Sequence, residues 1–182
     1  MRSPLAATAF AAAVLAGLGA VSAQAAAQAS GGQTATATVK AGDGKDLGTI
    51  SLTEAPHGVL LRLELKGLTP GWHGVHFHEK GDCGTPDFKS AGAHVHTTAN
   101  VVHGLLNPDG NDNGDLPNIH AGADGSAMAE IYSTLVSLKG AGGRPALLDA
   151  DGSAIVVHAS PDDHTSQPIG GAGARVACGV VK

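Results

Sequence analysis

Apolar and polar residues alternate most regularly over residues 59–66. Val59, Leu61, Leu63 and Leu65 occupy alternate positions, and charged residues fill most of the intervening ones. Because successive side chains of a β-strand point to opposite faces, this spacing predicts a strand with one buried face. Similar alternation, or a β-branched run between glycine-rich turns, predicts further short strands at residues 34–39, 49–53, 72–78, 126–132, 153–159 and 174–181.

Two stretches lack this pattern, at residues 79–123 and 160–173. Glycine, asparagine, aspartate, proline and histidine dominate the first, and the second is also polar. A compact domain seldom contains such long loops unless they carry function. The sequence therefore predicts an all-β fold, a Greek-key β-sandwich or barrel of about eight antiparallel strands with two long functional loops.

Residues 1–25 have the features of a secretory signal peptide. Arg2 supplies a positive charge before an apolar, alanine-rich run at residues 5–21, and small residues near positions 23–26 offer a cleavage site. The alternative is a retained membrane anchor, which needs about 20 strongly apolar residues. The short, alanine-rich run favours cleavage and export to the periplasm, which leaves one domain at residues 34–182 without membrane attachment.

The chain carries a formal net charge of −5, and loss of Arg2 with the signal peptide makes it more acidic. An acidic surface argues against nucleic-acid binding, which needs positive charge. After export, Cys83 and Cys178 would lie in an oxidising compartment, where a cysteine pair usually forms a disulfide. Two separate buried thiols are the alternative.

Histidine is unusually abundant, with ten residues against one Trp, one Tyr and three Phe. Imidazole is the commonest metal-binding side chain. His76 and His78 lie two positions apart in a predicted strand, so both project from the same face. His158 lies in another predicted strand, and the first long loop contains His94 and His103. This distribution favours a metal centre over an organic cofactor.

Several separated segments, in order along the chain, are similar to motifs of the copper/zinc superoxide dismutases. They are residues 71–83 (GWHGVHFHEKGDC), 90–94 (SAGAH), 103–104 (HG), 114–118 (GDLPN), 155–158 (IVVH) and 173–180 (GARVACGV). The resemblance extends over about residues 34–182. Together with the signal peptide, the motifs resemble those of the bacterial periplasmic branch of the family. It implies a superoxide dismutase with copper and zinc as cofactors.

The resemblance also implies roles for individual residues. The copper ligands would be His76, His78, His94 and His158. The zinc ligands would include His94, His103 and Asp115. Arg175 would attract the superoxide anion, and His94 would take up a proton when copper is reduced. Asp162 would link His76 to His103, and Cys83 and Cys178 would form the family disulfide. Four imidazoles suit Cu(II), and a mixed nitrogen and oxygen set suits zinc.

The zinc site departs from the family pattern at one position, where Asp112 replaces a third zinc histidine. A carboxylate can ligate zinc, so Asp112 is a candidate ligand beside His94, His103 and Asp115. The competing interpretation is a weak or empty zinc site. A second departure is His96, which could replace the lost ligand or could instead bond backbone or solvent.

The predicted function is the conversion of superoxide to O2 and hydrogen peroxide by copper cycling between Cu(II) and Cu(I). Asp112 leaves two alternatives: a non-catalytic periplasmic copper- and zinc-binding module of the same fold, and a copper-only dismutase. Arg175 favours an enzyme, because a metal carrier has no use for an arginine that guides an anion. Periplasmic members of the family occur as monomers and dimers, so the sequence leaves a homodimer open.

Overall fold

Nine short strands make up the regular structure of the computed structural model, which describes residues 32–182. They are β1 (Thr34–Ala41), β2 (Asp46–Ala55), β3 (Gly58–Leu65), β4 (Gly71–His73), β5 (Val75–His78), β6 (Ile119–Ala121), β7 (Ala127–Ser133), β8 (Ala154–His158) and β9 (Arg175–Val180). Seven of them form one sheet in the order β5-β8-β9-β1-β2-β3-β7, and β4 pairs with β6.

Every strand pair in these two sheets is antiparallel. Neighbours that are distant in sequence, such as β1 and β9, require the crossover connections of a Greek-key arrangement. The only helix within residues 32–182 is a short 3-10 turn at Lys89–Ala91, and none in that range could cross a bilayer. The all-β prediction is confirmed. The predicted signal peptide lies outside the described residues.

The segment predicted as one strand at residues 72–78 is divided into β4 and β5. The division falls at Gly74, whose N–H donates to the carbonyl of Ser160 and whose carbonyl accepts from the N–H of His158, both at 2.9 Å. After this point the chain leaves the small sheet and pairs with β8 in the large one. The three-residue β6 lies inside the predicted first loop, and it is too short to show a periodic pattern.

The predicted face of β3 is the face that the core buries. Leu61 and Leu63 pair across the ladder with Leu52 and Ile50 of β2, and all four side chains are almost completely buried. Burial of each such side chain stabilises the folded chain by about 1.5–3 kcal/mol relative to leaving it exposed. This apolar interior makes the sheet rigid. The functional loops have no such interior, and the sheet supports them.

The first long loop folds back along β5, on the side that β8 leaves free. The N–H of Phe77 donates to the carbonyl of Gly114, and the carbonyl of Phe77 accepts from the N–H of Val95, both at 2.9 Å. These backbone bonds hold residues 94–95 and residues 114–115 against the strand as isolated bridges. Loop residues that are far apart in sequence are therefore brought beside the histidines of β5.

Candidate metal centre

Strands β5 and β8 place three buried histidines beside one another. His76 and His78 lie two residues apart on β5, and His158 is the last residue of β8. The pairing of β8 with β9 shifts register between Val157 and His158, which is the kind of irregularity that redirects a side chain at the end of a strand. The His158 ring centroid lies 4.8 Å from that of His76 and 6.0 Å from that of His78.

His94 joins this group from the first long loop. Its ring centroid lies 4.2 Å from that of His76 and 5.0 Å from that of His78. Each of the four histidines offers a nitrogen within 4.8 Å of the others, and all four side chains are buried. The structure thus brings together the whole set that the resemblance implies for copper.

In each of these four rings, one nitrogen is hydrogen-bonded and the other is buried without a partner. The bonded nitrogens face Asp162, Gly92, Asp112 and Gly173 at 2.7 to 3.0 Å. The unpartnered atoms are Nδ1 of His76 and Nε2 of His78, His94 and His158. A buried polar atom without a partner is costly, and four such atoms in one place are satisfied by a shared metal ion. The group therefore fits copper.

Burial also keeps three of these imidazoles neutral. Loss of hydration lowers the pKa of His76 to about 3, that of His78 to about 2 and that of His158 to about 4. At neutral pH each ring therefore has a free lone pair, which is the state a metal ligand requires.

A second group of potential ligands lies on the other side of His94. Its four buried members are His94, His103, Asp112 and Asp115. Oδ2 of Asp112 lies 2.7 Å from Nδ1 of His94 and 3.4 Å from Nδ1 of His103. Oδ1 of Asp115 lies 2.6 Å from Nδ1 of His103. Two imidazole nitrogens and two carboxylate oxygens form a donor set that zinc accepts.

Three carboxylates surround His103 and make its environment strongly negative. Burial alone would lower the pKa of His103, but hydrogen bonds to Asp112, Asp115 and Asp162 outweigh it and raise that pKa to about 11. Burial opposes ionisation of Asp112 and Asp162 as well, yet hydrogen bonds from the histidines hold both pKa values below the ordinary aspartate value. The three carboxylates thus attract a positive charge to His103, which is either a proton on its ring or a divalent cation that replaces that proton.

Asp162 connects the two groups of ligands. Its Oδ2 lies 2.7 Å from Nε2 of His76, and its Oδ1 lies 3.0 Å from Nε2 of His103. Both contacts use the ring nitrogen opposite the one that faces the ligand group. A carboxylate in this position fixes the tautomer and the orientation of a metal-binding histidine.

The guanidinium of Arg175 is anchored next to the four-histidine group. Nη1 donates to the carbonyl of Phe88 and Nη2 to that of Gly92, both at 2.7 Å. The same Gly92 carbonyl accepts from Nδ1 of His78 at 3.0 Å. Arg175 also lines a cavity of ≈ 290 Å³ together with His94. An approaching anion would therefore meet a fixed positive charge beside the shared imidazole.

Cys83 and Cys178 form a disulfide, with a Cα–Cα distance of 5.7 Å. The bond fastens the loop after β5 to β9. Phe88 lies in the same loop and packs with Cys178 in a small apolar cluster. The prediction of a bridged pair is confirmed, and the alternative of two separate thiols is wrong.

His96 does not join either ligand group of the described residues. Its Nδ1 donates to the carbonyl of His94 at 2.7 Å, and its side chain is partly exposed in the wall of the cavity. A bond to backbone is one of the two interpretations that the sequence left open. Asp112, rather than His96, lies in the position that completes the second group.

Two amide side chains near the centre were missed by the sequence reasoning. Asn118 donates from Nδ2 to the carbonyl of Asp162 at 2.8 Å and accepts at Oδ1 from its N–H at 2.9 Å. Gln167 makes the equivalent pair of bonds to His103. Asn118 belongs to the GDLPN motif, which could have drawn attention to it, whereas nothing in the sequence around Gln167 distinguishes it from other polar loop residues.

Comparison with known proteins places this arrangement in a family. Residues 47–181 match the family model described as copper/zinc superoxide dismutase. The Cu-Zn superoxide dismutase of Caulobacter vibrioides is 83% identical over 149 residues, covering 82% of this chain and 86% of the relative. Cu-Zn superoxide dismutase 1 of Aquifex aeolicus is 43% identical over 140 residues, covering 76% of this chain and 82% of the relative.

Solved structures agree with the sequence comparisons. A SOD-like protein from Bacillus subtilis has a TM-score of 0.73 at 37% identity, covering 80% of this chain and 96% of that one. Cu/Zn superoxide dismutase from Brucella abortus has a TM-score of 0.65 at 32% identity, covering 82% of this chain and 100% of that one. The fold, the paired ligand groups and these similarities agree: the chain belongs to the copper/zinc superoxide dismutase family.

Proposed function

We propose that this protein is a superoxide dismutase that binds copper at His76, His78, His94 and His158 and zinc at His94, His103, Asp112 and Asp115. The observation that carries the proposal is the convergence of four buried, unpartnered imidazole nitrogens beside a cavity lined by Arg175. The overall reaction consumes two superoxide anions and two protons and yields O2 and hydrogen peroxide.

Bound copper would supply one-electron chemistry between Cu(II) and Cu(I), and bound zinc a fixed positive charge. The protein must bring a small anion to that centre although its net charge is negative. Arg175 performs this task, because its guanidinium is always charged and its bonds to Phe88 and Gly92 hold it in place. A local positive charge in a concave site raises the arrival rate of an anion.

His94 is the residue that can hold a proton for the product. Its Nε2 faces the four-histidine group, and its Nδ1 faces Asp112. A proton carried on Nε2 would lie within the four-histidine group, and His94 itself lines the cavity that superoxide would enter. Transfer of that proton to the reduced oxygen species would favour release of hydrogen peroxide.

The remaining residues keep the imidazoles in position. Asp162 holds His76 and His103 by one oxygen each. The carbonyls of Gly92 and Gly173 accept from His78 and His158. Each bond leaves the opposite ring nitrogen free for the metal, so the tautomer of the ring is set by the protein.

The position of Asp112 favours a zinc-containing enzyme over a copper-only one. Its Oδ2 is within 3.4 Å of the nitrogens of both His94 and His103, and its side chain is buried. Replacement of a histidine by this carboxylate therefore conserves a four-donor group. It also adds a negative charge, which increases the attraction for a divalent cation.

Metal analysis paired with an activity assay tests the proposal. We expect purified protein to retain one copper and one zinc per chain after dialysis and to consume superoxide rapidly. Active protein with copper alone would establish the copper-only alternative, and bound metal without activity would establish the non-catalytic module.

We also propose that residues 1–25 direct the chain to the periplasm. The disulfide between Cys83 and Cys178 supports this location, because such bonds persist in oxidising compartments. Fractionation of cells that express the full chain tests it: mature protein without the first residues is expected in the periplasmic fraction. Full-length protein in the cytoplasm would overturn it.

A further inference from the structure

The side-chain amide of Gln167 pairs with both polar groups of one backbone residue in the other functional loop. Oε1 of Gln167 accepts from the N–H of His103 at 2.9 Å, and Nε2 donates to the carbonyl of His103 at 2.8 Å. Nε2 also donates to the carbonyl of Thr165 at 3.0 Å, which holds the amide in its own loop. The amide thus completes a bridge between loops whose bonded residues are 64 positions apart.

The two loops are also in close backbone contact beside this amide. The carbonyl of His164 accepts from the N–H of Leu106 at 3.1 Å. Gly104 has a φ of 119°, and a Cβ at this position would collide with the carbonyl oxygen of His164. The chain therefore has a glycine where the two loops approach each other closely. The hydrogen bonds of Gln167 to the neighbouring residue His103 stabilise this approach.

The Gln167 bridge connects the ligand group that contains His103 to the wall of the cavity that Arg175 lines. His103 lies between Asp115 and Asp162, with one ring nitrogen directed at each. On the other side of Gln167, Pro168 and Ile169 line the cavity that contains Arg175. A shift of the second loop would therefore move the cavity wall and His103 together.

We infer that Gln167 is a positioning residue that fixes the backbone of the zinc ligand His103 and couples it to the wall of the superoxide-access cavity. The inference rests on the proposed function, because it takes His103 to be a zinc ligand. Neither loop has regular secondary structure at this point, and the Gln167 amide bonds both the N–H and the carbonyl of His103. Gln167 is exposed, and its replacement leaves no void in the core.

Two variants of the full mature protein separate the contributions of the two hydrogen bonds between Gln167 and the His103 backbone. Gln167→Met keeps the length of the side chain and removes both bonds to His103, whereas Gln167→Glu keeps an acceptor for the N–H and removes the donor. Hydrogen exchange of the His103 amide is measured on the metal-free protein. We expect exchange about tenfold faster in Gln167→Met and an intermediate rate in Gln167→Glu, which keeps an acceptor for the N–H but sets its second oxygen against the His103 carbonyl.

Zinc release to a chelator from the copper- and zinc-loaded protein gives the second measurement. We expect Gln167→Met to release zinc about tenfold faster. Gln33→Met is the matched control, since Gln33 is an exposed glutamine just before β1, outside both loops. This control is expected to match the original protein in both measurements.

The outcomes distinguish the inference from the proposed function. Unchanged amide exchange in Gln167→Met would overturn the bridge itself. Faster exchange with unchanged zinc release would overturn the positioning role. A failure of the original protein to bind zinc would instead refute the proposed zinc site, and the exchange measurement on metal-free protein would still test the bridge.

Discussion

Oδ2 of Asp112 lies 2.7 Å from Nδ1 of His94, the imidazole whose other nitrogen faces the four-histidine group. Both side chains are buried. The resemblance implies a third zinc histidine at this sequence position, and this chain has the carboxylate of Asp112 there instead. A carboxylate in this place preserves the number of donors while changing the charge of the site.

The first prediction concerns Asp112. Asp112→Ala removes one of four donors and one negative charge, so we expect the zinc affinity to fall by at least about 100-fold while copper is mostly retained. Competition with a zinc chelator, followed by metal analysis, measures this effect. Asp109→Ala is the control, because Asp109 is an exposed acid in the same loop. Unchanged zinc affinity in Asp112→Ala would place the fourth donor elsewhere.

The second prediction concerns His158. His158→Ala removes one of the four converging imidazoles, and we expect loss of at least about 99% of the dismutase activity, since residues that act as a unit fail together. Superoxide consumption per bound copper is the measurement. His57→Ala serves as control because His57 is exposed in the turn between β2 and β3. An active His158→Ala variant would remove this residue from the site.

The third prediction concerns Arg175. Arg175→Gln removes the fixed charge in the cavity, so we expect the rate constant for superoxide to fall about tenfold to 100-fold at low ionic strength, with a weaker dependence on salt. Rates measured over a range of ionic strengths test this expectation. Arg62→Gln changes the net charge equally at an exposed position on β3 and should have little effect. An equal fall of the rate constant in the two variants would contradict a local role for the Arg175 charge.

The fourth prediction concerns the disulfide between Cys83 and Cys178, which are 95 positions apart. Closure of a loop of this length stabilises the folded chain by about 4–5 kcal/mol in the chain-entropy model. Replacement of both cysteines by alanine should lower the free energy of unfolding in urea by a similar amount. Reduction of the original protein provides an independent comparison. Equal stability of the oxidised and reduced forms would show that the bond contributes little.

The strands and two of the metal-site histidines were predictable because their pattern is local. Alternation at Leu61 and Leu63 identifies a buried face, and a spacing of two puts His76 and His78 on one side of β5. These inferences need only the period of a strand. The small strand β6 escaped prediction because its three residues are held by pairing with β4 rather than by a pattern of their own.

The positions of the loop residues could not be derived from periodicity. Asp112 and His103 reach their places through backbone bonds such as that from Phe77 to Gly114, which connect distant parts of the chain. The family resemblance supplied the candidates, and only the folded geometry shows that Asp112 rather than His96 completes the second group. Gln167 acts through contacts with backbone, which leave no signature in a single sequence.

The Gly92 carbonyl accepts hydrogen bonds from both Arg175 and His78. No side-chain replacement can delete a main-chain oxygen, so alanine scanning of the site would overlook this acceptor. The positions of the Arg175 guanidinium and the His78 imidazole are therefore coupled through the main chain, because one peptide carbonyl accepts a hydrogen bond from each.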